Sequence, residues 1–574
     1  MVHFVAVVGT ELPDSLVVAD AALVSQTCRS GDFWCRWWHY SHLPVAYKAT
    51  TTEVAIVLGQ AVGANLDFPA DAEIFDGFHG AIAYSQAQGL RVSADLLGIF
   101  PVYYFHDSAG IIVASSPELI RQHPAYRGDL DVAGLVGILL SNGLLNGRTL
   151  WRGIRRLGAG YCLRWQGGQG QEVQQYHLPD FEQENPYKGI TLPEQLELLD
   201  QTLSGTIDRH LGAGQCTLLL SGGLDSRTLA GFLARQGTHP QTLTFGDRSD
   251  LEAQCAQAVA QKLGWPHNLA APQFASYPDY AQQIISQEHL ANGFNGVGIG
   301  WGINPALRQL PAPLVTGLCL DVALSGPLPV TSPGEELSFE LFLRRRVNPW
   351  GIALDQLHRL LRPQLQETLT GTIAEAAQLY HSYGQSEYTR NLCFEYYHRE
   401  RFHTGSRAWI FSFAAAPVLP VLDRQLLQLT ALMPIWPIDR LAQQQLVITR
   451  FPDLADLPLD RNDFVLWPLD AARLRRRDRW RYHALGYWYR LQQRLGYDRR
   501  YYFRILDINN PGWQAIRRQA EPGRDRLGEL FDLQVLTEIL PPAFQPIKHR
   551  HDPIITSSGQ KLLLGLLLWA QKYL

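Results

Sequence analysis

The residues whose types and spacing can do chemistry lie in Leu218-Leu-Leu-Ser-Gly-Gly-Leu-Asp-Ser226, near the middle of a 574-residue chain. An apolar run breaks at Ser221, Gly222 and Gly223, then opens into the helix-like Arg227-Thr-Leu-Ala-Gly-Phe-Leu233. Two glycines let the backbone curl round an anion, Ser221 and Ser226 add hydroxyls, and a helix beginning here aims unpaired N–H groups at the same place. The string therefore predicts a strand, a phosphate loop and a helix. Asp225 stands apart, because a carboxylate beside a phosphate is repelled unless a cation lies between them. The cation that suits carboxylate and phosphate oxygens together is Mg²⁺. The chain has no G-x-x-x-x-G-K-[ST] and no G-x-G-x-x-G following a strand, which sets kinase-like nucleotide loops aside.

The elements that must position this loop divide into two parts. At 574 residues the chain exceeds what one core organises, and its pattern changes near residue 180. Residues 1–180 read as a β-rich domain of short strands: Phe4 to Val8, Val54 to Leu58, Gly80 to Tyr84, Leu90 to Ser93, Val102 to Phe105 and Ile111 to Ala114. Residues 181–574 hold the loop. An amphipathic helix over Pro193 to His210 precedes it; a strand, Gln241 to Phe245, and a helix, Ala253 to Leu263, follow. Strand, loop, helix, strand and helix in that order predict a doubly wound α/β domain, whose ligands sit beyond the carboxyl ends of strands.

Composition excludes several classes. A formal charge of -4 carries no polyanion-binding signature, and 46% hydrophobic residues is ordinary for a globular chain. Seven cysteines without a C-x-x-C point to neither a zinc site nor a disulfide framework, and favour a reducing, cytoplasmic setting. Leu562 to Trp569 is too short to span a membrane and is expected to be a core helix.

The string Leu-Leu-Ser-Gly-Gly-Leu-Asp-Ser resembles the pyrophosphate loop of the asparagine synthetase superfamily, whose members cleave ATP between its α and β phosphates and pass AMP to a carboxylate. The resemblance implies nucleotide contacts from Leu220, Ser221, Gly222, Gly223, Leu224, Asp225, Ser226 and Phe245. Asp250, Glu252, Ala256, Val259, Ala260, Leu263, Gly264 and His267 follow the family pattern too, in a stretch without a direct phosphate role. Leu314 to Gly326 resembles the second ATP motif. It implies that Thr316 and Gly317 lie near the ribose and α-phosphate, and that Asp321 joins Asp225 as a metal ligand. Leu318 and Leu320 replace an acid and a serine of that motif, so the acceptor pocket is expected to be apolar. In the family-like stretch 396–427, Glu400 is the candidate general base for an incoming amine, with Glu395 in reserve. Pro546 to Gly559, followed by Leu562-Leu-Leu564, resembles the lysine segment of β-lactam synthetases. There Lys548 would stabilise developing charge in adenylation and amide formation.

Residues 1–180 resemble a glutaminase domain of the N-terminal-nucleophile hydrolase type, through Asp95 to Tyr104, Ala114 to Glu118 and Gly143 to Leu163. Such glutaminases use a cysteine directly after the initiator Met; this chain has Val2. The family's glutamine-binding Asn-Gly-Glu corresponds here to Leu58-Gly59-Gln60, without the carboxylate. The domain is therefore expected to be a degenerate, scaffolding one. Its aromatic run Phe33 to Tyr40 reads as core in preference to a binding patch.

Residues 471–507 interleave arginines with Trp480, Tyr482, Tyr487, Trp488, Tyr489 and Tyr501. The pattern suits a grip on RNA or on an acidic peptide, but a solvated helical hairpin with one aromatic face is preferred. The whole reading is an ATP-dependent, Mg²⁺-using, glutamine-independent ligase of the β-lactam synthetase and lasso-peptide cyclase branch. Its substrate is expected to be a small-molecule or peptide carboxylate, with a precursor peptide or a protease as partner and neither membrane nor nucleic acid involved. The rivals are an ammonia-dependent asparagine synthase and a catalytically degenerate nucleotide-binding scaffold.

Overall fold

The computed structural model describes residues 2–16, 18, 23–64, 66, 74–183, 185–212, 214–327, 330, 337–433, 440–548 and 553–574. The first 174 residues form two antiparallel six-stranded sheets. In the first, the N-terminal strand Val2–Val8 lies between Phe33–His39 and Ile111–Ala114. In the second, Glu53–Gly59, His79–Ser85 and Gly89–Ala94 pair in succession. The sheets meet face to face, with Phe33 stacked on Tyr84 at 4.9 Å between centroids. All six expected strands are present. The aromatic run is a seventh, Phe33–His39, with Phe33, Cys35 and Trp37 buried on alternate positions. Trp34 and Trp38 flank Arg36 on the other face, so aromatics stand on both faces and hide the period of two.

The second part is organised by five parallel strands in the order His267–Ala270, Gln241–Phe245, Thr217–Leu219, Leu314–Val315, Pro417–Val418. The chain steps outward through the first three and returns to the other side of Thr217–Leu219 for the last two. The order reverses between Thr217–Leu219 and Leu314–Val315, and an open parallel sheet binds ligands at such a switch point. Leu218, Leu243 and Leu314 are fully buried, as parallel strands covered on both faces require. The helix Leu192–Leu211 buries Leu196, Leu199, Leu203 and Ile207. The helix Leu251–Leu263 stops at Gly264, whose φ of +68° suits a residue without Cβ. The C-terminal helix Ser558–Tyr573 is buried over most of its length, as the sequence leads one to expect. Among the described residues no helix is long and apolar enough to cross a membrane.

Buried polar groups fasten the β-rich part to the α/β part. The Arg401 guanidinium donates to Gly98 O at 2.9 Å and to Leu157 O at 2.5 Å, and Gly77 N donates to Leu422 O at 2.7 Å. At a third contact the indole N–H groups of Trp151 and Trp569 both donate to His289 Nδ1, at 3.0 and 2.9 Å. A nitrogen that accepts twice carries no proton, so His289 is the neutral Nε2–H tautomer, and Nε2 donates to Glu118 Oε2 at 2.8 Å. Burial holds the His289 pKa below its usual value, in keeping with that state. His289→Ala leaves two buried indole donors unsatisfied, while Glu118 keeps Arg121 and Gln122, and is expected to cost about 3 kcal/mol. A urea midpoint equal to that of the wild type would show that this contact does not hold the two parts together.

Candidate functional site at the switch point

The phosphate loop leaves Thr217–Leu219 and enters the helix Leu224–Arg235, whose N-terminus opens on the switch point. Ser226 Oγ closes the loop: it lies 2.9 Å from Ser221 N and 2.8 Å from Ser221 Oγ. Gly222 is required by close approach, since a Cβ there would lie 2.8 Å from Glu252 O and 2.9 Å from the Cβ atoms of Cys255 and Asp460. The second motif meets the first just as tightly; a Cβ on Gly317 would lie 3.0 Å from Asp225 Cβ. Buried Arg227 donates to Leu454 O at 2.9 Å and Leu457 O at 3.0 Å, anchoring the start of the helix from behind.

These loops form one wall of a cleft of about 250 Å³. Of the residues expected to contact nucleotide, Leu220, Ser221, Asp225, Ser226, Phe245, Thr316 and Gly317 line it, and Asp321 lines it with them. Gly222 and Gly223 form the bend that shapes it, and Leu224 opens the helix behind it. Phe245 supplies an apolar wall and packs against Phe411 and Tyr501.

Asp225 and Asp321 share a single cation, Arg440. Its Nη1 lies 3.1 Å from both carboxylate oxygens of Asp225, and its Nη2 lies 3.6 Å from Asp321 Oδ2. Gln443 Nε2 adds a donor to Asp225 Oδ1 at 3.0 Å. Burial, reinforced by Asp321, raises the Asp225 pKa against the pull of Arg440. Two half-buried carboxylates held round one positive charge are a donor set for a cation, and their hard oxygens fit Mg²⁺. Asp225 and Asp321 are the residues that would hold it.

Glu400 lies outside the cleft lining. It sits on a π-helical stretch, Glu395–Thr404, one turn before Thr404, which does line the cleft. Its carboxyl is fully buried, lies 3.3 Å from Arg399 Nη1, and makes no hydrogen bond among the described residues. Burial, with Asp321 and Glu395 nearby, pushes its pKa up to about 8. Glu395 is paired with Arg399 and points to an ion-pair role. Lys548 is exposed, and the structure does not bring it to the cleft. The residue before it, Ile547, is pinned to Asn509 by bonds of 2.9 and 2.8 Å. His549 to Asp552 lie outside the described residues, as does Met1.

Sequence reasoning missed Arg407 and Tyr502, which line the cleft, and Arg440, which reaches Asp225 from a distant segment. It also read Glu252 as remote from phosphate; the structure corrects this, because Glu252 lines the cleft. The signal was present in Gly222, a glycine that the carbonyl of Glu252 crowds. Burial, with Asp460 and Asp250 adding, raises the Glu252 pKa well above the usual carboxylate range. In the β-rich part, Gln60, which the resemblance aligns with a glutaminase's substrate-binding carboxylate, donates through Nε2 to His210 O of the α/β part.

Comparison with known proteins bears on both parts. The family described as asparagine synthase matches residues 198–290, which include the phosphate loop and Glu252 but not Asp321, Glu400 or Lys548. The family described as a glutamine amidotransferase domain matches residues 45–177. No curated protein matches the chain in sequence. Among solved structures, the NMN synthetase of Francisella tularensis is similar at 16% identity over 37% of this chain and 96% of that one. Its TM-score of 0.19 is too low to carry an argument.

Proposed function

From the match of residues 198–290 to the asparagine synthase family and of 45–177 to a glutamine amidotransferase domain, we propose that this chain is an ATP-dependent ligase that joins a carboxylate to an amine, without glutamine and within one substrate molecule. The observation that carries the reading is the pair Asp225 and Asp321, gathered round one positive charge at the mouth of the phosphate loop. Mg²⁺ held there would screen the triphosphate from these acids. A substrate carboxylate oxygen attacks the α-phosphorus of ATP, the bond to the β,γ-phosphates breaks, and pyrophosphate leaves toward Ser221 to Ser226. The amine then attacks the acyl carbon, AMP departs, and the surplus amine proton passes toward Glu400.

Glutamine independence rests on Val2, since an isopropyl group cannot attack an amide, and on Gln60, which is engaged with His210. Leu318 in the cleft lining and buried Leu320 give the second motif an apolar character that suits an acceptor other than ammonia. The ammonia-dependent asparagine synthase reading runs against both leucines. Incubation with ATP, Mg²⁺ and candidate amino-carboxylates is expected to yield AMP and pyrophosphate in equal amounts, with no glutamate from added glutamine. Release of glutamate at the rate of ATP consumption, or of ADP in place of AMP, would overturn the reading.

A further inference from the structure

The helix Arg476–Arg494 is apolar on two opposite faces, and only one of them is covered. Its inner face, Tyr482, Leu485 and Tyr489, packs on Leu251, Cys255, Phe464 and Leu466. The expected hairpin with one aromatic face is thus a single helix with two. On the outer side Trp480, Ala484, Tyr487, Trp488, Leu491 and Leu495 follow one another at helical spacing and form a stripe along the helix. Trp480, Tyr487, Trp488, Leu491 and Leu495, with Tyr497 just beyond the helix, are between 47% and 74% exposed. The four aromatic rings alone leave roughly 500 Å² in water, the scale of the largest patch an ordinary monomer shows.

Charge selects what covers it. Exposed Arg476, Arg479, Arg490 and Arg494 flank the stripe on one side and Arg481 on the other, Arg477 stands at its N-terminal end, and the helix carries a single carboxylate, Asp478. A second copy docked through the same stripe would bring arginine against arginine, which excludes self-association by this face. Nucleic acid has no use for leucines at the centre of the stripe. Tryptophan and leucine between arginines also suit an interfacial helix, so vesicle binding is one of the outcomes that the test separates. Tryptophan, tyrosine and arginine together are the composition of a protein interface centre.

We propose that this outer face is the docking surface for an acidic protein, which takes the stripe into an apolar groove rimmed by carboxylates. The place has a consequence for the cleft. The inner face of the same helix rests on Leu251 and Cys255, in the helix that also carries Glu252 into the cleft lining. A protein bound at Trp480 therefore sits one helix away from the active site, on the side of the phosphate loop. The inference does not depend on the ligase reading.

The test uses the full chain with p-benzoylphenylalanine at position 487, expressed in its native cells and irradiated, with the same group at exposed position 370 as control. The expected result is an adduct with one acidic protein at 487 and none at 370. Once purified, that protein should bind the wild type at least tenfold more tightly than Trp480→Ala, with ATP turnover of the variant unchanged. Four results would overturn the proposal: no adduct above the control, an adduct with lipid or RNA, a captured protein that binds Trp480→Ala as tightly as wild type, or tight binding of phosphatidylglycerol vesicles or a 20-nucleotide uridine RNA.

Discussion

Glu400→Gln is expected to lower amide formation by roughly 10²- to 10⁴-fold, the usual contribution of a general base, while carboxylate-dependent exchange of label between pyrophosphate and ATP persists. The two half-reactions separate because adenylation needs no base, whereas an attacking ammonium must first lose a proton. Glutamine keeps the shape beside Cys319 and removes only the proton acceptor. With a pKa of about 8, the wild-type rate should climb as pH rises to that value, and the residual rate of the variant should not follow it. Stability supplies an independent check. Between about 4.5 and 8 the folded protein holds a proton on Glu400 that the unfolded chain has lost, so this group's contribution to stability falls as pH rises through that window. The Gln variant should lack that fall. Equal loss of both half-reactions in Glu400→Gln would mean that this buried acid only holds the π-helical stretch in place.

Lys548→Met is expected to act on both half-reactions together, cutting turnover by about 10² or more while leaving ATP affinity nearly unchanged. A cation aimed at charge that develops only in the transition state adds little to ground-state binding. The lysine is exposed and lies outside the cleft lining, so this variant tests the role that the resemblance alone assigns to it. Ile547 is tied to Asn509, and the helix Pro553–Thr556 packs on Tyr501–Leu506, which brings Tyr502 into the lining. Calorimetric titration with a non-hydrolysable ATP analogue and a pyrophosphate-release assay decide the matter: wild-type turnover in Lys548→Met would make it surface charge.

The phosphate loop, Ser221 to Ser226, was legible from residue types alone, because it turns directly out of a strand into a helix. Thr316 to Asp321 also turn out of a strand, but only the resemblance to a second ATP motif marked them as partners of the loop. Arg440 was not legible, because its meeting with Asp225 depends on the path of a chain 215 residues away. Arg407 and Tyr502 are hidden for the same reason. The two-residue strand Pro417–Val418 is too short for any period to register, although it completes the sheet. The helix Arg476–Arg494 misled in the other direction: aromatics on opposite faces blur into one aromatic run in the sequence, and only packing shows which of them have found partners.

The claim on which the account rests is that the cleft at the switch point activates a carboxylate with Mg²⁺·ATP through Asp225. Exchange of radiolabelled pyrophosphate into ATP, measured with the wild type and with Asp225→Asn across a panel of amino acids and peptide carboxylates, tests it most directly. The wild type should exchange label with at least one carboxylate, and Asp225→Asn should lose that exchange together with its affinity for Mg²⁺·ATP, because it removes a charge from the metal site. Exchange that survives in Asp225→Asn at the wild-type rate, or a wild type that exchanges with none of the carboxylates, would contradict the account.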